Sequence, residues 1–297
     1  MKGYRESGIF GKAKVISQII MHRNSIICHD YNRKAELARV NLNYWKLNSK
    51  NDIDNLGDYL SVVVVENMLR ERGLSLDTSV RETKHLYAIG SILMTGFQDS
   101  TIWGTGILGD IRVGIEGKMA VLVNKHIRRL DVRAVRGPKT RDFLLDIGIE
   151  CPEVYGDPAI LMPLFYMPEN SVKKREYLVI NHYTKSNAFS NDIDLRTKDY
   201  RGVIDRICSA KKIITGSLHG LILAEAYGVP AVLLNDREDF SSFKYEDYYH
   251  STGRFEFPVA NSIDEAVEIE PLEIPDMQNI RKGLIKAFPY DLWSEQV

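Results

Sequence analysis

Three observations predict an α/β protein of two domains with parallel sheets. Strand-like apolar runs alternate with helix-like periodic stretches along most of the chain. A polar stretch, Phe165–Glu176 (FYMPENSVKKRE), interrupts that alternation as an interdomain linker would, and a new set of elements follows it. The 297 residues also suffice for two domains of about 150 residues each. The expected division is an N-terminal α/β domain over 1–168 and a C-terminal α/β domain over 169–297. Two such Rossmann-like domains would face each other across a cleft at the carboxyl ends of their strands.

Val15–Ile20 is a weak first strand and Asn41–Trp45 a second. Asn55–Asp58 (NLGD) reads as a turn leading into a helix over Tyr59–Arg72, with Leu60, Val63, Val64 and Met68 at helical spacing and Gly73 at its end. His85–Ile89 and the glycine-rich Thr101–Ile107 read as strands, as does Leu130–Val135. Pro138–Asp146 is a helix with proline at its start and Gly148 past its end. Asp157 caps a short helix that opens at Pro158. Beyond the linker come strand Tyr177–His182, helix Tyr200–Ala210, strand Lys212–Thr215, a helix around His219, strand Ala231–Asn235 and a helix near Ile263–Val267. The sequence carries no internal repeat and no low-complexity tract.

Composition removes several function classes. A formal charge of −1 gives no global basic field for nucleic acid. No apolar run approaches the ~20 residues that span a bilayer, and the N-terminus lacks the apolar core of a signal peptide. Three widely spaced cysteines, Cys28, Cys151 and Cys208, form no disulfide framework and no CxxC pair. They read as small buried side chains in a reducing cytoplasm. The histidines form no metal-ligand pattern, and Asp192 and Asp194 read as solvated loop residues.

The stretch Ile213–Gly228 (IITGSLHGLILAEAYG) is the most informative. A buried strand enters a Gly-Ser turn, and a helix opens around His219. Unpaired N–H groups at a helix start favour an anion, and an imidazole there can move a proton near neutral pH. The alternative is a histidine satisfied at an interface; the GSLHG turn after a strand favours function. Arg136, directly after a strand, reads either as a fork for carboxylate or phosphate or as a salt-bridged arginine. Asp157, Asn55 and Asp58 read as caps and turn formers or as site residues. Trp103-Gly104-Thr105-Gly106 is only a weak match to a nucleotide-binding loop.

Together these segments resemble the polysaccharide pyruvyl transferase family. The resemblance is carried, in order, by NLGDYLS at Asn55–Ser61, the pair AIGSIL and IWGTGI, VRGPKTRDFL at Val135–Leu144, YGDPAILMP at Tyr155–Pro163 and GSLHGLILAEAYGVPAV at Gly216–Val232. The aromatic segment Phe243–Arg254 (FKYEDYYHSTGR) is similar to the family's late motif.

The resemblance implies a GT-B-like architecture and an enzyme that takes pyruvate from phosphoenolpyruvate and installs it as a ketal on a sugar. It implies a donor site of Arg136, Ser217, Leu218, His219 and Gly220. Ser217 leaves no arginine fork immediately before Leu218, so Lys244 and Arg254 are the cations to test in that place. The expected catalytic groups are His219, as acid or phosphate clamp, and Asp58 and Asp157, either of which would receive the acceptor's protons. Asn55, Gly57, Asp58, Trp103 and Tyr248 are expected on the acceptor side, where aromatic rings stack on sugars. The reaction calls for no cofactor and no metal. A lipid-linked oligosaccharide acceptor would draw a cytoplasmic enzyme to the inner face of the membrane. The basic patches Lys173-Lys174-Arg175 and Lys125–Arg129 read as lipid contacts or as solvated faces. Two other readings stay open: a GT-B glycosyltransferase using a nucleotide sugar, with Glu225 on the ribose, and a non-catalytic carbohydrate-binding protein of the same fold.

Overall fold

The computed structural model describes residues 29–30, 38–46, 54–109, 115–169, 174–182, 192–235 and 240–294. The expected strand Val15–Ile20 lies outside them. In chain order the first unit comprises β1 (His29–Asp30), β2 (Val40–Tyr44), α1 (Leu56–Arg70), β3 (Lys84–Tyr87), β4 (Ser100–Trp103), α2 (Ile115–His126), β5 (Leu130–Ala134) and α3 (Pro138–Asp146). A short 3-10 helix, Pro158–Leu164, follows. The second unit comprises β6 (Arg175–Ile180), α4 (Tyr200–Cys208), β7 (Ala210–Thr215), α5 (Leu218–Ala226), β8 (Ala231–Leu234), α6 (Phe243–Ser251), β9 (Val259–Ala260) and α7 (Ile263–Glu268). The chain closes with α8 (Gln278–Lys286) and α9 (Asp291–Ser294).

The strands form two sheets. One runs β1-β2-β3-β4-β5, parallel except for β1, and the other runs β6-β7-β8-β9, parallel throughout. The fold class is therefore α/β with two parallel sheets. Parallel strands need a crossover, and buried strands on both faces read as continuous apolar runs. Leu86, paired with Leu42, and Ile213, paired with Ala231, are such positions.

Element edges move where backbone or partners intervene. The helix expected from Tyr59 starts at Leu56, so NLGD is its cap and first turn rather than a separate turn. The strand expected to reach Ile107 ends at Trp103. Gly104 follows with φ +91°, and the ring of Pro158 fills the space a side chain would need there. Helices α2, α6, α8 and α9 and strands β1 and β9 have no counterpart among the expected elements. In α6 the buried face carries Tyr245, Tyr248 and Tyr249 at helical spacing, but Lys244 and Asp247 are buried beside them and mask that stripe in the sequence.

One continuous apolar core joins the units. It contains Leu60 and Val64 of α1, Ile160 and Leu161 of the 3-10 helix, and Leu221 and Leu223 of α5. The chain's end crosses back to the first unit. The Trp103 indole donates to the Leu284 carbonyl at 2.9 Å, the Tyr290 hydroxyl to the Met68 carbonyl at 2.9 Å, and Arg133 pairs with Asp291 at 2.8 Å. Cys151 and Cys208 are buried and unbridged, and burial pushes the Cys151 thiol up to about 12.

Candidate active site

Three chain segments turn at the carboxyl side of the strands and bring polar groups onto the end of this core. At the start of α1, Asn55 occupies the cap position, yet its side chain donates to Asp58 Oδ2 at 2.8 Å rather than capping. Asp58 is thus oriented by its own turn. Gly90, after β3, has φ +105°, and a Cβ there would come within 2.8 Å of Asp58 Oδ1. A glycine is required on both counts.

Asp157 caps the 3-10 helix, with Oδ1 accepting from the Ala159 N–H at 2.9 Å. Its other oxygen, Oδ2, lies 3.7 Å from His219 Nε2. Both atoms are buried, and neither has a hydrogen-bond partner among the described residues. His219 is the second residue of α5, where Ser217 caps the helix by accepting from the Gly220 N–H at 3.3 Å. Gly57 of α1 lies so close beneath His219 that a Cβ would fall on the imidazole. Imidazole and carboxylates from opposite units therefore share one buried space.

Its electrostatics are mixed. Burial pushes the Asp58 carboxyl up from 3.8 to about 6, and the neighbouring Asp157 charge adds to that rise. His219, the Asn55 bond and the Lys244 ammonium oppose it. A carboxyl pushed up to about 6 in the same buried space as an imidazole suits general acid–base chemistry. Among the described residues no group of three or more His, Cys, Asp or Glu side chains could hold a metal ion.

Other expected site residues have different surroundings. Arg136 is fully buried, and its guanidinium donates to Asp247 Oδ2 at 3.0 Å, to Ser91 Oγ at 2.7 Å and to the Ile107 carbonyl at 2.6 Å. Gly106 packs directly on it. The expectation of an open donor fork is corrected: Arg136 is an internal hub. Arg254 grips Glu225 with two bonds, of 2.7 and 2.6 Å, and the Tyr248 hydroxyl donates to the same carboxylate at 2.7 Å. That group consumes Arg254 as a donor cation, Tyr248 as a sugar platform and Glu225 as a ribose ligand. Trp103 is wholly enclosed, edge-on to Phe288 with ring centres 4.8 Å apart, and offers no face to an acceptor. Leu218 is a core residue, and the Ser217 N–H is already bonded to Thr215 Oγ1 at 3.0 Å. Part of the anion-binding capacity expected of this turn is therefore used internally.

Lys244 is buried on α6, and its charge acts weakly on the Asp58 carboxyl. Asp247, on the same helix, was not singled out from the sequence, because an aspartate in a run of charged and aromatic residues has no local signature of burial. Asn181 and His182, buried at the carboxyl end of β6 beside Thr215, were read only as strand residues.

Fold and site define a two-sheet α/β protein with a buried cluster of carboxylates and an imidazole where the sheets' units meet. The family model for polysaccharide pyruvyl transferase matches residues 55–237, more than half of the chain. The chain belongs to that family. It is 27% identical over 191 residues to the uncharacterized protein L143 of Acanthamoeba polyphaga mimivirus, covering 59% of this chain and 62% of that protein. It is 30% identical over 137 residues to the succinoglycan biosynthesis protein ExoV of Rhizobium meliloti (strain 1021), covering 41% of each. The chain thus spans about three-fifths and two-fifths of these two relatives. A crystal structure of an uncharacterized protein from Klebsiella pneumoniae subsp. pneumoniae NTUH-K2044 aligns over 84% of this chain and 98% of that one, with 15% identity and a TM-score of 0.49.

Proposed function

We propose that this chain moves the enolpyruvyl group of phosphoenolpyruvate onto two hydroxyls of a sugar, forming a pyruvate ketal and releasing phosphate. The acceptor is a cell-surface polysaccharide or its lipid-linked precursor. Family membership and the relative named for succinoglycan biosynthesis support this reading. The observation that carries it is the pair of buried, unbonded atoms His219 Nε2 and Asp157 Oδ2, 3.7 Å apart. A buried polar atom without a partner is costly, so a bound substrate group that bonds to both relieves that cost.

In this reading the imidazolium of His219 delivers a proton to the methylene carbon of phosphoenolpyruvate, and an oxocarbenium-like centre forms at C2. One sugar hydroxyl attacks C2 and loses its proton to Asp58. The C2–O bond to phosphate then breaks, and phosphate leaves. A second hydroxyl closes the ketal ring and gives up its proton. The proton held by Asp58 passes to the departing phosphate and the second hydroxyl's proton restores His219, so the balance closes without a cofactor. Asp157 orients the imidazole, and Lys244 supplies positive charge for the dianionic donor. Asn55 and Gly57 flank Asp58 on the acceptor side.

Work at the inner face of a membrane belongs to the same proposal. No helix among the described residues is long and apolar enough to cross one. The test is to incubate the purified chain with phosphoenolpyruvate and a panel of sugars, measuring phosphate release and the mass of a pyruvate ketal. Neither product, together with nucleotide release from sugar nucleotides, would favour the glycosyltransferase reading instead.

A further inference from the structure

The glycine-rich segments that follow β3 and β4 are bonded to each other behind the site. The Thr105 hydroxyl donates to the Gly90 carbonyl at 2.8 Å, and the Gly106 N–H donates to the same oxygen at 3.0 Å. The Leu93 N–H returns a bond to the Gly106 carbonyl at 3.2 Å. The Gly90–Ser91 turn is therefore held on both sides. It lies just beyond the carboxyl end of the middle strand of its sheet, the edge at which parallel sheets bind ligands. Gly106 has no side chain, and the Arg136 guanidinium occupies that space.

From there Arg136 Nη1 donates to Ser91 Oγ at 2.7 Å, while Asp247 and the Ile107 carbonyl take its other bonds. Arg136 is sealed, but Ser91 is half-buried, so at this hydroxyl the buried hub reaches the surface. A serine oxygen that accepts from a guanidinium still has its own proton to give, and that proton goes to no acceptor among the described residues. The positive charge behind it strengthens the hydroxyl as a donor to an anion. A side chain at the neighbouring Gly90 would come within 2.8 Å of Asp58 Oδ1, so the turn that carries Ser91 lies against the Asp58 carboxyl.

We propose that Ser91 is a substrate-binding residue whose hydroxyl donates to a phosphate oxygen of phosphoenolpyruvate. Arg136 then serves the donor from inside the protein: it orients and polarises Ser91 and touches no substrate. The phosphate is singled out because, in the reaction above, it leaves with the proton held by Asp58, which the Ser91 turn adjoins. The assignment rests on that reading of the site, and binding measurements separate the two.

The experiment is a calorimetric titration of the full chain and its variants with phosphoenolpyruvate and with inorganic phosphate, circular dichroism checking the fold. Ser91→Ala is expected to weaken both ligands about tenfold or more, the scale of a hydrogen bond to a charged group. Ser91→Thr keeps the hydroxyl and should restore most of the affinity. Ser91→Asp keeps an acceptor for Arg136, which a purely structural role would tolerate, yet it sets a negative charge against the phosphate and should abolish binding. That variant carries the test where Ser91→Ala does not fold. Wild-type affinity in either folded variant overturns the proposal, as does failure of both to fold or a wild-type chain that binds neither ligand. Serine-dependent binding of phosphate in a chain that forms no pyruvate ketal keeps the anion site and removes the proposed reaction. Ketal formation with unchanged affinity in Ser91→Ala does the reverse.

Discussion

Gly57 and His219 come from different units, and the space a side chain would occupy at Gly57 is filled by the His219 imidazole. The glycine sits inside the first turn of α1, where helix propensity alone favours a larger residue. Its role is contact across the junction. Gly57→Ala should displace the imidazole, slow phosphate release at least tenfold and destabilise the fold by about 1–3 kcal/mol through overpacking. Steady-state rates and chemical denaturation of the variant check both; a wild-type rate would show that the imidazole need not stay where it is.

His219 makes no hydrogen bond through Nε2 among the described residues, so its removal breaks no such bond there. His219→Ala should keep the fold and lose turnover by about a hundredfold or more, the scale of a lost general acid. Circular dichroism with phosphate release measures the two together. Retained turnover would assign the proton to another group.

Asp58 gives a pH test whose sign follows from its environment. Its folded midpoint, about 6, lies above its ordinary 3.8, so between those values the folded chain holds the proton more tightly than the unfolded one. This contribution is fully present below about pH 4 and is lost as pH rises through about 6. At pH 7.5 the ionised group costs about 3 kcal/mol, and Asp58→Asn should recover much of that while matching wild type near pH 4. Denaturant midpoints at the two pH values decide it. As the proposed base, Asp58 should also produce a rise in kcat/KM through about pH 6 that the asparagine variant lacks.

Arg136 should behave as a structural residue. Arg136→Met alone leaves the Asp247 carboxylate buried beside Thr140 and should destabilise by about 3–5 kcal/mol. Adding Asp247→Leu should recover a large part of that loss. A single variant that folds like wild type and shows only a raised KM for phosphoenolpyruvate would return Arg136 to the donor site.

Much of the fold is legible in the chain because its signals are local. Pro138–Asp146 and the Asp157 cap fall where proline, glycine and a short carboxylate place them. The strands before α4, α5 and α6 show as short apolar runs bounded by turns. Helix α6 does not show, because its buried tyrosines are interleaved with a buried lysine and aspartate, and the partners of that aspartate are remote in sequence. His219 stands out because it follows the turn at the carboxyl end of β7, where polar residues are brought together in such folds, whereas Asp58 and Asp157 show as turn and cap residues at helix starts.

The fate of each charged group is another matter. Arg136, Arg254 and Lys244 are all basic residues in motif-rich segments, and nothing local distinguishes them. Packing does: Arg136 meets a carboxylate 111 positions away and is sealed, Arg254 is closed on Glu225, and Lys244 is buried on α6. Periodicity and turn chemistry are written within a few residues, so the sequence states which elements form and where polar turns lie. Whether a cation is bound internally or presented to a site depends on desolvation and on partners from distant elements, and these exist only once the chain has folded.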